Sequence, residues 1–382
     1  MEATAIRPLL AGSSVQWFET ARKLGPRFAG RAATVDEEDL FVGENFAELK
    51  SVGLVSAAVP AELGGGGATH AELAAILVDL ARHCSSTALA FAMHTHQVAV
   101  AAWRWKHQKA PVDGLLKRVA AERIVLLSSG GSDWLYGSGS ATRVDGGFRI
   151  NARKVFVSGA PAGDLLMTSA IHDDPETGPT VLHFAVPMNA SGVEIIPTWQ
   201  ALGMRGTGSH DVALKDLFVA DASISGKRPQ GKWHPLFHII SMIAFPLVYA
   251  VYVGVAQAAR DLAVLQAAKR RTDEHLLYLI GGIENELSAA RLALAEMLAA
   301  AATDQPGYEV TNRVMIGRAL VARSVLKLAE LALEAAGGGG FYRSLGLERL
   351  FRDLQAARFH PLQEGAQRDY AGRMALGLEV RA

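Results

Sequence analysis

The chain has 382 residues, half of them hydrophobic and a fifth charged; this supports a packed core, leaves room for two or three structural units and excludes global disorder. Lys plus Arg and Asp plus Glu both number 38, so the formal net charge is zero; that excludes an electrostatic footprint for nucleic acid and offers little like-charge resistance to oligomerisation. The single cysteine, Cys84, excludes an intrachain disulfide, and MEATAIRPLLAGSS lacks a basic-then-apolar opening, so the expected location is the cytoplasm.

Residues 1–120 read as helical. Asp36 is placed to cap a helix running through Phe41, Phe46 and Leu49 towards Gly53. After the Gly64–Gly67 loop, Thr69-His70-Ala71-Glu72 has capping-box spacing, in which the hydroxyl and the carboxylate each take an orphan amide at a helix start. Leu73, Ile76, Leu77 and Leu80 then recur at helical spacing, and a second helix follows Ser85-Ser86 and ends near Trp103–Lys106. Residues 121–230 change to short apolar runs separated by turn residues. ATRVDGGFRINARKVFVSG carries a hairpin signal at Asp145-Gly146-Gly147, and about seven strands are predicted, in a compact barrel or sandwich. Residues 231–382 return to helix. The stretch Phe237–Ala259 has no charge and is long enough to span a bilayer, but His238, Ser241, Pro246 and Gln257 interrupt it. It reads as the buried centre of a four-helix antiparallel bundle, with no membrane involved. The fold class is therefore α+β: a helical domain over 1–120, a β domain over 121–230 and a helical bundle over 231–382.

Several motif-like stretches fail on geometry. Ser209-His210-Asp211 has a hydrolase composition, yet adjacent residues on an extended chain point to alternate faces. His94 and His96 face apart on a helix, and no carboxylate or thiol joins them at ligand spacing, so no metal site is expected. Gly203, Gly206 and Gly208 precede a strand rather than open a helix, and Gly64–Gly67 lack the Lys-Ser/Thr of a phosphate loop. Small residues at Ser128, Ser129, Gly130, Gly131 and Ser132 end the first strand and suit a flat polar ring or a phosphate. Phe156 and Ser158, two apart on a strand, are expected on one face, where an aromatic and a hydroxyl can meet a planar cofactor. In FHPLQEGAQRDY, Pro361 and Gly365 place Glu364 at a break between helices, either as a solvated carboxylate or as a base aimed at a substrate.

GMRGTGSHDVALKDLFV and GGGGFYRSLGLERLFRD, with the helix–β–helix order, resemble the acyl-CoA dehydrogenase family over nearly the whole chain. The resemblance implies FAD held between the β domain and the bundle, a homo-oligomer (dimer or tetramer), a small acyl thioester as substrate and an electron acceptor such as an electron-transfer flavoprotein. LSSGGSD is two residues shorter than the family's flavin loop and puts Ser128 in its Thr position, with Gly131 and Ser132 retained. Phe156-Val157-Ser158 is similar to the family's flavin strand. Arg270 and Thr272 resemble its pyrophosphate contacts, and Gly337 and Gly338 match positions close to a partner subunit's FAD. Glu364, followed by Gly365, is similar to the catalytic base, although more residues separate it from Arg352-Asp353. The implied reaction is α,β-dehydrogenation, with a carboxylate removing the α-proton while the β-hydride goes to flavin. The family's substrate helix carries charge before its proline, whereas SMIAF before Pro246 has none. That opens a second reading, a flavin-dependent monooxygenase of the same fold using reduced flavin and oxygen on an apolar substrate, with His94, His96 or His210 as donors. A third reading is a non-catalytic helical binding subunit.

Overall fold

The computed structural model describes residues 16–303 and 305–381. Its first helices are α1 (Gln16–Glu37), α2 (Gly43–Ser51), α3 (His70–His83), α4 (Ser85–Gln108) and α5 (Asp113–Glu122). The capping box forms as its spacing predicts: the Glu72 amide donates to Thr69 Oγ1 at 3.2 Å, and the Glu72 carboxylate accepts the Thr69 amide. Asp36 departs from expectation. It lies buried in the last turn of α1 and receives both terminal nitrogens of Arg352, at 3.0 and 2.5 Å. A bidentate charged pair is stronger than a cap bond, so the Asp36 carboxylate goes to Arg352 and caps no helix.

The strands are β1 (Leu126–Ser128), β2 (Ser140–Val144), β3 (Gly147–Val157), β4 (Leu165–Asp174), β5 (Gly178–Pro187), β6 (Val193–Ile196), β7 (His210–Ala220) and β8 (Ile224–Pro229). They form one sheet in the order β6-β7-β3-β2-β4-β5-β8, and β1 adds to β4 in parallel. This is one strand more than the alternation counted, and the hydrogen-bonded path is open. Asp145-Gly146 turns β2 into β3, with Gly146 at φ +72°.

The charge-free stretch and the AARDLAVLQ run are a single helix, α6 (Pro235–Ala267), which passes through Pro246. Its most apolar 18-residue window is 94% buried inside the protein, so α6 is a core helix. It packs on α3 and α4 on one side and on α7 (Glu274–Thr303) and α8 (Tyr308–Ala336) on the other. A Cβ on Gly254 would lie 2.2 Å from the Val78 carbonyl oxygen, so this close α3–α6 crossing requires glycine. The short helices α9 (Leu347–Leu354) and α10 (Glu364–Ala375) complete the C-terminal layer. Beside Arg352, Asp353 is buried, accepts from Ser85 Oγ of α4, and takes the Met204 amide at 2.5 Å. One corner thus joins the first helices, the sheet's signature loop and the last helices.

Candidate active site

Along the seam between α4 and α6 lie several of the buried polar atoms that have no protein partner among the described residues. Phe237, Ser241, Phe245 and Tyr249 follow at four-residue steps on α6, a spacing that stacks side chains along a helix. Trp134, in the loop after β1, lies edge-on to Phe237 (4.8 Å between centroids) and packs on Phe245 (5.7 Å). The indole nitrogen of Trp134 and the hydroxyl of Ser241 are buried without a protein partner, as is Nδ1 of His96 on α4. Buried polar atoms are nearly always bonded, so three orphans on one seam mark a place where a polar guest or water completes the site.

His94 and His96 have opposite roles. His94 accepts the Leu126 amide at Nδ1 (2.9 Å) and donates from Nε2 to the Val55 carbonyl (2.7 Å). Both nitrogens are committed, and the ring staples α4 to β1. His96 retains a free nitrogen. Burial pushes each ring down to about 4, so both are neutral at pH 7. Near His96 the chain after α9 brings in His360, whose Nε2 lies 2.5 Å from the Tyr252 hydroxyl. The residue keeps some exposed surface while its ring is enclosed. Burial first, then Arg318 and His96, push His360 down to about 3. Arg318, fully buried on α8, fixes this segment by donating to the carbonyls of Ala357 (3.3 Å), Arg358 (3.2 Å) and His360 (2.8 Å). Its guanidinium lies 5.3 Å from the Tyr249 ring, and the Tyr249 hydroxyl donates to Ala357 O at 2.8 Å. The nearby Asp353 carboxylate is pushed up to about 6 by burial, and both its oxygens are occupied by Ser85 and Met204. His360, Tyr252 and Arg318 escaped sequence reasoning, although His360 stands four residues before the glutamate singled out there.

The sheet side presents Ser128 at the end of β1 and the loop that follows it. Ser129 bonds Thr168 (2.7 Å), and buried Lys154 ties Asp133 (3.1 Å) and Ser138 (2.9 Å) together beneath the loop. Gly131 has open space where a side chain would stand, and Ser132 is exposed beside it. The shared face expected for Phe156 and Ser158 is not found. The β3–β7 register shifts between Lys154 and Val157, and Phe156 takes φ +57°. This bulge breaks the alternation. Phe156 turns outward, 55% exposed and edge-on to Trp199, while Ser158 is buried in the turn after β3. A bulky residue held at positive φ with an exposed ring is unfavourable unless something covers it, and a flat ring fits that need. Ser158 begins a chain of hydroxyls: Ser158 to Ser209 (2.7 Å), Ser209 to Thr207 (2.7 Å), and Thr207 donating to Met204 O (2.9 Å). Each hydroxyl has one hydrogen, so Ser158 donates inward and can only accept from a cofactor. Ser209, His210 and Asp211 turn to separate partners. His210 accepts the Trp199 amide and Asp211 pairs with Arg153 at 2.6 Å.

Arg270, Thr272, Gly337 and Gly338 form a second, separate group. Arg270 donates to Ala335 O at 3.3 Å, which places it beside Gly337 at φ +62°, and Gly338 is open; Asp273 lies 3.8 Å from the same guanidinium. Phe245 and Arg270 are 25 residues apart along α6 and its extension, about 38 Å of helix. Within one chain this group cannot meet a ring at the sheet. Glu364 opens α10, facing solvent in an i,i+4 pair with Arg368 (2.5 Å). Among the described residues, no group of three or more His, Cys, Asp or Glu has metal-binding geometry.

Three domain signatures of one family cover this arrangement: the acyl-CoA dehydrogenase N-terminal domain over 16–111, the middle domain over 128–217 and the C-terminal domain over 247–364. The chain belongs to the acyl-CoA dehydrogenase family. Its three-part helix–sheet–helix fold is that of the family, and its class is that of flavin oxidoreductases. The chain is 29% identical to the L-evernosamine nitrososynthase of a Micromonospora species, over 93% of this chain and 88% of that one. It is 27% identical to the putative acyl-CoA dehydrogenase YdbM of Bacillus subtilis, over 92% and 94%. The solved structure of KijD3 with FMN and dTDP-3-amino-2,3,6-trideoxy-4-keto-3-methyl-D-glucose superposes with a TM-score of 0.86 at 28% identity, covering 99% of this chain and 95% of that one. A flavin is the cofactor of this fold, and the exposed Phe156, the open loop and the acceptor Ser158 fit one.

Proposed function

We propose that the protein is a flavin-dependent monooxygenase that uses reduced flavin and dioxygen to transfer one oxygen atom to a small molecule. The observation that carries this reading is the identity of the groups enclosed on the α4–α6 seam. His96, Tyr252 and His360 are neutral donors and acceptors there, and the carboxylate beside Tyr252, that of Asp353, has both oxygens bonded. Thioester dehydrogenation needs an enclosed, free carboxylate to take the α-proton, and Glu364 stands in solvent with Arg368. Bound in its reduced form, the flavin supplies the two electrons that send one oxygen atom of O2 to the substrate and the other to water. His360 and His96 hold and orient the oxygen, and His360 hands on a proton through its bond to Tyr252. Arg318 holds His360 in place. The aromatic wall of Trp134, Phe237 and Phe245 excludes water. Reduced flavin carries a ring N–H that oxidised flavin lacks, and the acceptor-only Ser158 suits that form.

The nitrososynthase relatives favour oxygen transfer to an amine nitrogen, KijD3 is solved with FMN and an amino sugar, and we propose a small amine as the first substrate class to test. FMN is the proposed form of the flavin, because Asp273 and Glu274 beside Arg270 oppose a pyrophosphate. If FAD is used instead, Arg270, Gly337 and Gly338 reach it only from a second copy of the chain. The deciding experiment supplies chemically reduced FMN and 18O2 with a panel of alkylamines and amino sugars. One 18O atom in the product is expected. Anaerobic bleaching of bound flavin by an acyl-CoA, with no 18O transfer, would overturn the proposal in favour of dehydrogenation.

A further inference from the structure

Only one arrangement of hydrogens satisfies the buried contact between Tyr252 and His360. The Tyr252 side chain is fully buried, and its hydroxyl has a single partner among the described residues, Nε2 of His360 at 2.5 Å. A phenolic hydroxyl carries one hydrogen, and a buried donor left unbonded costs the desolvation of that group. Nε2 is the one acceptor within reach, so Tyr252 donates and Nε2 accepts. The reverse arrangement, with Nε2 donating, strands the phenolic hydrogen inside the protein. Nε2 therefore carries no hydrogen.

The charge state of the ring completes the assignment. Tyr249 and Tyr252 of α6 lie 6.1 and 5.5 Å from it between centroids, and Arg318 of α8 and His96 of α4 act on it electrostatically. None of the four is a carboxylate; the nearby Asp353 of α9 acts on Tyr252. All three hydrogen bonds of Arg318 end on backbone carbonyls, that of His360 among them, and its Nε is buried without a partner. Its positive charge thus stands beside the imidazole with no carboxylate bonded to it, and a second positive charge there is disfavoured. Burial acts in the same direction, and the ring is neutral at pH 7. A neutral imidazole has one ring hydrogen, and with Nε2 accepting, that hydrogen is on Nδ1. Nδ1 has no partner among the described residues. Neutral histidine in water favours the hydrogen on Nε2, so the tyrosine reverses the ordinary preference. We propose that Tyr252 is a positioning residue that fixes His360 as its Nδ1–H tautomer, so that the site offers a neutral N–H to an acceptor oxygen. Arg318 supports the same state by opposing an imidazolium. That this oxygen is the one being transferred rests on the reading above.

The test reads the ring hydrogens directly. Two-bond 1H–15N spectra of the full chain labelled with 15N-histidine distinguish the two tautomers, and the His360 signals are those lost in His360→Asn. The Nδ1–H pattern is expected with and without FMN, unchanged between about pH 5 and 8. Tyr252→Phe keeps the ring and removes only the hydroxyl; it should shift the tautomer ratio towards Nε2–H by about tenfold, the worth of one buried hydrogen bond. A second readout uses the amide variants. Asparagine places its amide nitrogen where Nδ1 stands and glutamine where Nε2 stands, so single-turnover 18O transfer should be about tenfold higher in His360→Asn than in His360→Gln. Thermal melts of all variants confirm folding. An Nε2–H ring in the unmodified protein, or a tautomer ratio unmoved in Tyr252→Phe, overturns the inference; transfer by His360→Gln equal to or above that of His360→Asn overturns Nδ1 as the donor. Because the spectra need no turnover, the tautomer and the oxygenation can fail independently.

Discussion

Residues 357–360 and 364–368 are neighbours in sequence and opposites in environment. The first segment is clamped by buried Arg318 and presents a neutral imidazole to a tyrosine hydroxyl inside the protein. The second is a helix start whose carboxylate makes an i,i+4 pair in water, an arrangement worth roughly 0.3–0.5 kcal/mol. Residue type alone favours the glutamate as a catalyst. Enclosure favours the histidine, because a proton-transferring group is useful only where water does not compete for it.

The sharpest test is His360→Ala, which should lower oxygen transfer by at least about 100-fold with flavin affinity unchanged, measured by single-turnover 18O incorporation and fluorescence titration. Arg318→Met should show that the clamp is structural as well: three carbonyls lose their donor, and stability should fall by about 3 kcal/mol in urea denaturation. The paired histidines of α4 add a pH signature. Both are held near 4 when folded, against about 6.5 when unfolded, so the unfolded chain binds their protons first. Their contribution is fully present above pH 6.5 and is lost as pH falls, by roughly 2.7 kcal/mol per pH unit for the two together between pH 6 and 4. His94→Gln should remove one proton's share, about 1.4 kcal/mol per pH unit, from the slope measured by urea denaturation across pH. Tyr252→Phe removes one buried bond to His360 and should cost about 1 kcal/mol and slow oxygen transfer by less than His360→Ala does. Smallest of all, Glu364→Gln should change turnover by less than about twofold. A 100-fold loss there would reverse the comparison and restore the carboxylate as base.

Local chemistry was legible where one segment decides it. The Thr69–Glu72 box, the Asp145-Gly146 hairpin and the helix–sheet–helix order needed only spacing. The resemblance led to the loop after β1. What spacing could not show depends on distant partners. Tyr252 meets His360 across 108 positions, and Arg318 reaches its carbonyls from about 40 away. Period-two alternation predicts a shared face for Phe156 and Ser158, and a single bulge set by pairing with β7 undoes it. Asp36 read as a cap because its partner, Arg352, lies 316 residues away.

The corner at Arg352 and Asp353 ties α1, α4 and the loop at Leu202–Met204 to α9, and a Cβ on Gly203 would strike the Arg352 carbonyl at 2.4 Å. Loss of α9 would leave the buried Asp36 carboxylate without its bidentate arginine at that joint. The three regions should therefore melt in a single cooperative transition, and a chain shortened before residue 347 should fail to hold even its N-terminal helices and sheet in their native packing.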